Sequence, residues 1–312
     1  MTNPVLVEVV RSGFTESAHR GAVVVTAPDG SVVLATGDVT SPIFPRSANK
    51  PLQAAGMLHS GLSYEGADLA LACGSHSGEP GHTERVAAML AAVGLDETAL
   101  ACPPQYALDE ASMRAAAGPL RITMNCSGKH AAMLATCVAA GWPADGYVDP
   151  AHPLQQALAD TVVSLTGEPI AATGVDGCGA PLFAFSLTGL ARSFGRLVQA
   201  EPGSPERRVA DAMRVHPWLV AGTDREDTEL MKAGPGLLSK VGAEGVWAVA
   251  LPDGTALALK LDDGNQRGRG PVGVAVLRHL GVDVSELAEL SAPAVLGGGE
   301  PVGRLRVSWS AP

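Results

Sequence analysis

The sequence predicts an α+β fold: an antiparallel sheet built from N- and C-terminal strands and covered by helices from the middle of the chain. Three observations carry this. β-branched runs crowd the first forty residues, helical periodicity fills residues 80–220, and strand patterns return near the C-terminus. Closure is simplest if the first and last strands pair in one sheet. The whole chain, 1–312, reads as a single domain.

Taken in order, residues 5–10, 22–26 and 32–36 read as strands, and Asp29-Gly30 between the last two is a hairpin signal. A helix starts near Ser47, which can cap it. Pro51 falls in its first turns, where a missing N–H matters least. The short apolar run 69–73 reads as a buried strand or core segment and ends in a polar, glycine-punctuated stretch, 74–82. Helical patterns follow at 83–93, 110–116, 129–140, 154–166 and from 206 to before Pro217. Residues 199–206 read as a linker or surface loop. Strands 246–251 and 256–261 flank a second hairpin signal, Asp253-Gly254. Residues 271–280 look helical, Gly297-Gly298-Gly299 reads as a flexible loop, and 305–309 as a final edge strand.

Composition narrows the function. Apolar residues make up 46% of 312 and charged residues 17%, which suits a folded core rather than disorder. The net charge of −10 argues against nucleic acid and anionic membranes as partners. The N-terminus lacks a basic region and Glu8 interrupts its apolar run, so it does not read as a signal peptide. Five cysteines, an odd number, read as reduced thiols in a cytoplasmic protein. Only five lysines (50, 129, 232, 240 and 260) stand against 17 arginines. Arginine cannot deprotonate, whereas a lysine with a lowered pKa can serve as base or ligand, so each lysine is a candidate.

Four constellations carry possible chemistry. Ser47-Ala48-Asn49-Lys50 is an S-x-x-K, which places a hydroxyl and an amine on one helical face. Alone it reads rather as a capping serine beside a surface lysine. Cys73-Gly74-Ser75-His76-Ser77-Gly78-Glu79 resembles an active-site loop, or else a polar turn; it is no H-E-x-x-H zinc motif. Ser239-Lys240-Val241-Gly242 matches the K-x-G strand that faces S-x-x-K in serine–lysine enzymes, although Val replaces the usual Thr. Asn125-Cys126-Ser127-Gly128-Lys129-His130 fails as a P-loop. With Asp176-Gly177-Cys178 it suits a soft metal such as zinc, or two inert buried thiols.

Together these motifs resemble the bacterial L-asparaginase II family of the rhizobial, serine–lysine type. The resemblance also takes in His19-Arg20-Gly21, Arg46 and Lys260-Leu261-Asp262-Asp263-Gly264, and it runs over nearly the whole chain. It implies a fold like serine β-lactamases and bacterial glutaminases, and usually a homodimer. It implies two serine–lysine pairs, Ser47 with Lys50 and Ser75 with Lys240. It implies zinc held by Cys126, Lys129 and Cys178, with Asp176 orienting a ligand. Arg46, His76, Glu79 and Asp176 are candidates for substrate binding. The expected reaction is hydrolysis of L-asparagine, with Ser47 the favoured nucleophile and Ser75 its competitor. Rivals are another amide or β-lactam hydrolase of the same fold, a hydrolase using catalytic zinc, and a non-catalytic amino-acid-binding module.

Overall fold

The computed structural model describes residues 3–311. The N-terminal strands are β1 (Val5–Arg11), β2 (Phe14–Thr26) and β3 (Val32–Thr36), followed by a short β4 (Pro42–Ile43). A 3-10 turn, Arg46–Asn49, leads directly into α1 (Lys50–His59). Then come α2 (Gly66–Ala72), α3 (Pro80–Ala91), α4 (Glu110–Ala115), α5 (Ser127–Ala140) and α6 (Pro153–Thr166). Strands β5 (Ala172–Val175) and β6 (Pro181–Ser186) precede α7 (Leu187–Gln199), α8 (Pro205–Val215), α9 (Pro217–Val220) and α10 (Glu226–Ala233). The chain closes with β7 (Leu238–Gly242), β8 (Val246–Ala250), β9 (Ala256–Leu261), α11 (Arg269–His279), α12 (Ala288–Ser291), β10 (Ala294–Gly297) and β11 (Glu300–Val307).

Both ends of the chain enter one antiparallel sheet. Its order is β10-β11-β1-β2-β9-β8-β7, with β3 also on β2. The long β2 makes this possible: its first half pairs with β1, and its second half pairs with β3 on one side and β9 on the other. A smaller sheet has the order β4-β6-β5.

Side-chain size alternates across the main sheet. Ala248, Ala250, Ala256 and Ala258 join the core beneath the helices, where α7 packs on β8 and β9. Trp247, Val249, Leu257 and Leu259 fill the opposite core with α11 residues such as Val272 and Val276. The period-two alternation thus sends small residues to one helical layer and large ones to the other. Small residues allow close approach, as where a Cβ at Gly195 of α7 would meet Gly254 O at 2.7 Å.

Three local expectations change. Of the two readings of residues 69–73, the core segment holds and the strand does not: Leu69–Ala72 end α2 and Cys73 caps it, all buried, so no periodicity separates helix from strand there. Gly297-Gly298-Gly299 is no loose loop but the tight turn of the β10–β11 hairpin, with Gly298 and Gly299 at positive φ. The last strand is not an edge, because β10 pairs outside β11.

Candidate active site

Three of the five lysines are buried: Lys50 is 1% exposed, Lys129 2% and Lys240 0%. Burying an unpaired ammonium costs on the order of several kcal/mol, so each needs a partner or a neutral amine. Their partners differ, and the differences define the site.

Lys50 begins α1 one residue after the 3-10 turn. Its Nζ reaches Ser75 Oγ at 2.9 Å and also bonds Gly74 O. Neither partner is charged. Ser47, three residues before Lys50, is half-buried, and its hydroxyl makes no hydrogen bond among the described residues. Arg46 before it lies in the left-handed region at φ 53°, a strained state for a non-glycine residue.

The Ser75 loop is locked between two others. A Cβ at Gly74 would meet Leu219 O, Leu71 O and Val220 O at 2.9–3.0 Å. Ser75 N donates to Val220 O and His76 N to Asn125 O. His76 Nε2 lies 2.9 Å from Ser127 Oγ, and its ring is fully buried. Glu79 accepts from Ser77 Oγ at 2.6 Å and from Thr223 N and Oγ1. Both side chains fasten the loop to its neighbours.

Lys240 sits in β7, against the 3-10 turn. A Cβ at Gly242 would fall 2.4 Å from Pro45 O, so the glycine of K-x-G lets this strand meet the Ser47 turn. Lys240 Nζ donates to Asp227 Oδ2 at 3.0 Å and to Val241 O at 2.9 Å. Asp227, from α10, also accepts from Ser239 Oγ and Val241 N and is wholly buried. Burial drives the Lys240 pKa down to about 8 against the pull of Asp227, and nearby Lys50 adds to the lowering. The pairing implied by the resemblance is therefore redistributed: Lys50 bonds Ser75, and Lys240 bonds Asp227.

Cys126, Lys129 and Cys178 do come together. Cys126 caps α5, which places Lys129 within its first turn. Lys129 Nζ lies 3.2 Å from Cys178 Sγ. A hydrogen bond from Cys126 lowers the Cys178 pKa far below that of an ordinary thiol, and Lys129 helps. The same bond, with burial, raises Cys126. Burial opposes the Lys129 charge, but Cys178, Cys126 and Asp176 outweigh it and raise its pKa. His130 stands alongside, its Nε2 buried without a partner while Nδ1 bonds Tyr147 Oη at 2.6 Å. Among the described residues no three His, Cys, Asp or Glu side chains gather for a metal, so any ligand set here must count the lysine amine.

Arg46 links this cluster to the surface. Its Nε donates to Asp176 Oδ1 at 2.8 Å, and Asp176 Oδ2 lies 3.9 Å from Cys178 Sγ. On its other side a cleft of about 500 Å³ opens, bordered by Arg46, Glu244, Lys260 and apolar residues including Phe44 and Val175. A larger cavity of about 740 Å³, lined by Arg85, Trp218 and Lys232, includes no residue of the four constellations.

Sequence reasoning missed Asp227. It lies 13 residues from Lys240 in no recognisable motif, and an acidic residue in a polar helix start reads as solvent-facing.

Serine hydroxyls set against buried lysine amines in an α+β chain belong to an amidohydrolase. Among known families, the L-asparaginase II model matches residues 7–307. The chain belongs to the L-asparaginase II family. No curated protein matched it. Similar solved structures include Mglu in its native form (16% identity, TM-score 0.46, covering 89% of this chain and 67% of that one). They also include a beta-lactamase from Mycobacterium bovis (16%, 0.44, 83% and 94%) and a Bacillus glutaminase in 4.3 M NaCl (11%, 0.46, 85% and 92%). Among the described residues no helix is long and apolar enough to cross a membrane.

Proposed function

We propose that the protein hydrolyses L-asparagine to L-aspartate and ammonia through a serine acyl-enzyme. The observation that carries this is Lys50: a buried amine with only neutral partners, bonded to Ser75 and one helical turn from Ser47. An amine so placed lies within proton-transfer reach of a serine hydroxyl and is the proposed base. Lys240, held by a carboxylate, is suited to remain a cation.

Ser47 is the proposed nucleophile because it is the more exposed hydroxyl and follows Arg46 at the cleft. Its oxygen attacks the side-chain amide carbon while its proton passes to Lys50. The tetrahedral intermediate collapses, and the leaving nitrogen takes that proton and departs as ammonia. Water then cleaves the ester with Lys50 again as base, regenerating the serine. A second reading makes Ser75 the nucleophile, favoured by its 2.9 Å contact with Lys50.

We also propose zinc at Cys126, Lys129 and Cys178. The donor set fits in part: Cys178 is already disposed to be a thiolate, whereas Lys129 and Cys126 must each give up a proton. When bound, zinc supplies a fixed charge that anchors the Cys126 and Cys178 loops. Asp176 then holds Arg46 in register beside Ser47.

The test is ammonia release from L-asparagine and L-glutamine by wild type, Ser47→Ala and Ser75→Ala, with intact-mass detection of the acyl-enzyme. Asparagine turnover lost in both variants supports the reading, and the variant that still acylates retains the nucleophile. Wild type inert on both amides would sink it.

A further inference from the structure

The cleft beside Arg46 carries a charge pattern of its own. Among the described residues four non-glycine positions have positive φ, and two of them, Arg46 at 53° and Glu244 at 58°, face each other across it. Arg46 Nη1 lies 3.7 Å from Glu244 Oε1. Left-handed backbone at two facing charged residues persists only where the surroundings hold it, and such strain concentrates at binding and catalytic sites. Glu244 sits at the tip of the β7–β8 hairpin, where its carboxylate rests against Gly264: a Cβ there would meet Glu244 Oε2 at 2.3 Å. It is nonetheless 61% exposed and open to a ligand.

Lys260 completes the set. It lies on β9 opposite Val246 and is half-buried. Its Nζ donates to Leu261 O at 2.6 Å and, among the described residues, has no carboxylate within 4.0 Å. Lys240 has Asp227 and Lys232 has Glu229, so Lys260 differs from both. The cleft lining thus offers two cationic side chains, Arg46 and Lys260, beside one exposed carboxylate, Glu244, while Asp176 holds Arg46 from behind.

We propose that the cleft binds the α-amino-acid head of the substrate: Lys260 and the free N–H groups of Arg46 take the α-carboxylate, and Glu244 takes the α-ammonium. This rests on the amide-hydrolase reading given above. Arg46 immediately precedes Ser47, so a head group clamped by Arg46 sets where the side-chain amide carbon lies relative to the hydroxyl. Planar guanidinium groups suit carboxylates because they donate paired, parallel N–H bonds. Specificity for a free amino acid then comes from the zwitterion, separately from the reacting amide.

Calorimetry with L-aspartate, succinate (which lacks the amine) and β-alanine (which lacks the α-carboxylate) tests the assignment on wild type, Lys260→Gln and Glu244→Gln. Lys260→Gln should weaken L-aspartate and succinate tenfold or more and leave β-alanine unchanged. Glu244→Gln should weaken L-aspartate and β-alanine and leave succinate unchanged. In turnover, Lys260→Gln should raise KM for L-asparagine by the same factor with kcat retained. The proposal is overturned if wild type binds none of the three, if Lys260→Gln binds L-aspartate as wild type does, or if it weakens all three equally. Should wild type bind L-aspartate through Lys260 yet release no ammonia from L-asparagine, the cleft assignment stands and the hydrolase reading falls.

Discussion

Lys50 Nζ and Ser75 Oγ lie 2.9 Å apart across 25 residues of chain, and both side chains are shielded from solvent. The lysine of an S-x-x-K has reached away from its own serine to a second one. Lys50 Nζ is therefore in hydrogen-bond contact with the Ser75 hydroxyl rather than with that of Ser47.

This makes Lys50 the residue whose chemistry is least replaceable. In Lys50→Arg a guanidinium, which cannot deprotonate, replaces the amine. The variant should lose about 10²–10⁴-fold in kcat, the usual contribution of a positioned acid–base group. Ammonia release from L-asparagine measures this. Retention of more than a tenth of wild-type kcat would remove Lys50 as base.

Asp227→Asn should act through Lys240. Burial and Lys50 lower the Lys240 pKa to about 8, and Asp227 resists that lowering. If Lys240 works as a cation, kcat/KM falls as pH rises through about 8. Removing the Asp227 charge should move that limb towards acid, by about one pH unit per 1.4 kcal/mol of lost attraction. Stability should also fall, by up to about 3–5 kcal/mol, because a buried ammonium loses its counter-charge. A pH–rate profile with an unmoved alkaline limb would show that Lys240 does not titrate in the reaction.

Gly242→Ala probes how the K-x-G strand sets the Ser47 turn. The added methyl would fall 2.4 Å from Pro45 O and 3.3 Å from Ala48 N, so the backbone must shift. Overpacking of this kind costs about 1–3 kcal/mol. The Tm should drop modestly and kcat should drop more than KM rises. Unchanged kcat would mean that the turn tolerates displacement.

Cys178→Ser should abolish stoichiometric zinc, read by elemental analysis of the purified protein, because it removes the side chain best disposed to be a thiolate. The effect on turnover should appear chiefly in KM, through Asp176 and Arg46. Loss of metal with both kcat and KM unchanged would make zinc irrelevant to turnover.

Much of the fold was legible where local chemistry and tertiary environment agree. Asp29-Gly30 and Asp253-Gly254 each lie between paired strands, and the N- and C-terminal strands meet as the pattern implies. The stretch from β5 to α7 was not legible. Every residue of Pro181–Ser186 is buried, so the strand shows no alternation, and α7 carries glycines that weaken helical propensity. At the site, motifs located the serines, lysines and thiols. They did not predict pairing. Spacing within S-x-x-K describes one turn of helix, whereas the observed partner of Lys50 is set by how the loop at Gly74 is wedged against Leu219 and Val220.

The burial of Lys50, Lys129 and Lys240 has a practical side. A chain of 312 residues exposes to amine-directed reagents only Lys232 and the half-covered Lys260 among its lysine side chains. Acylation or crosslinking at lysine would be close to two-site chemistry. Protection of Lys260 by an added amino acid, with Lys232 as the internal reference, would then give a footprint of cleft occupancy in a single labelling reaction.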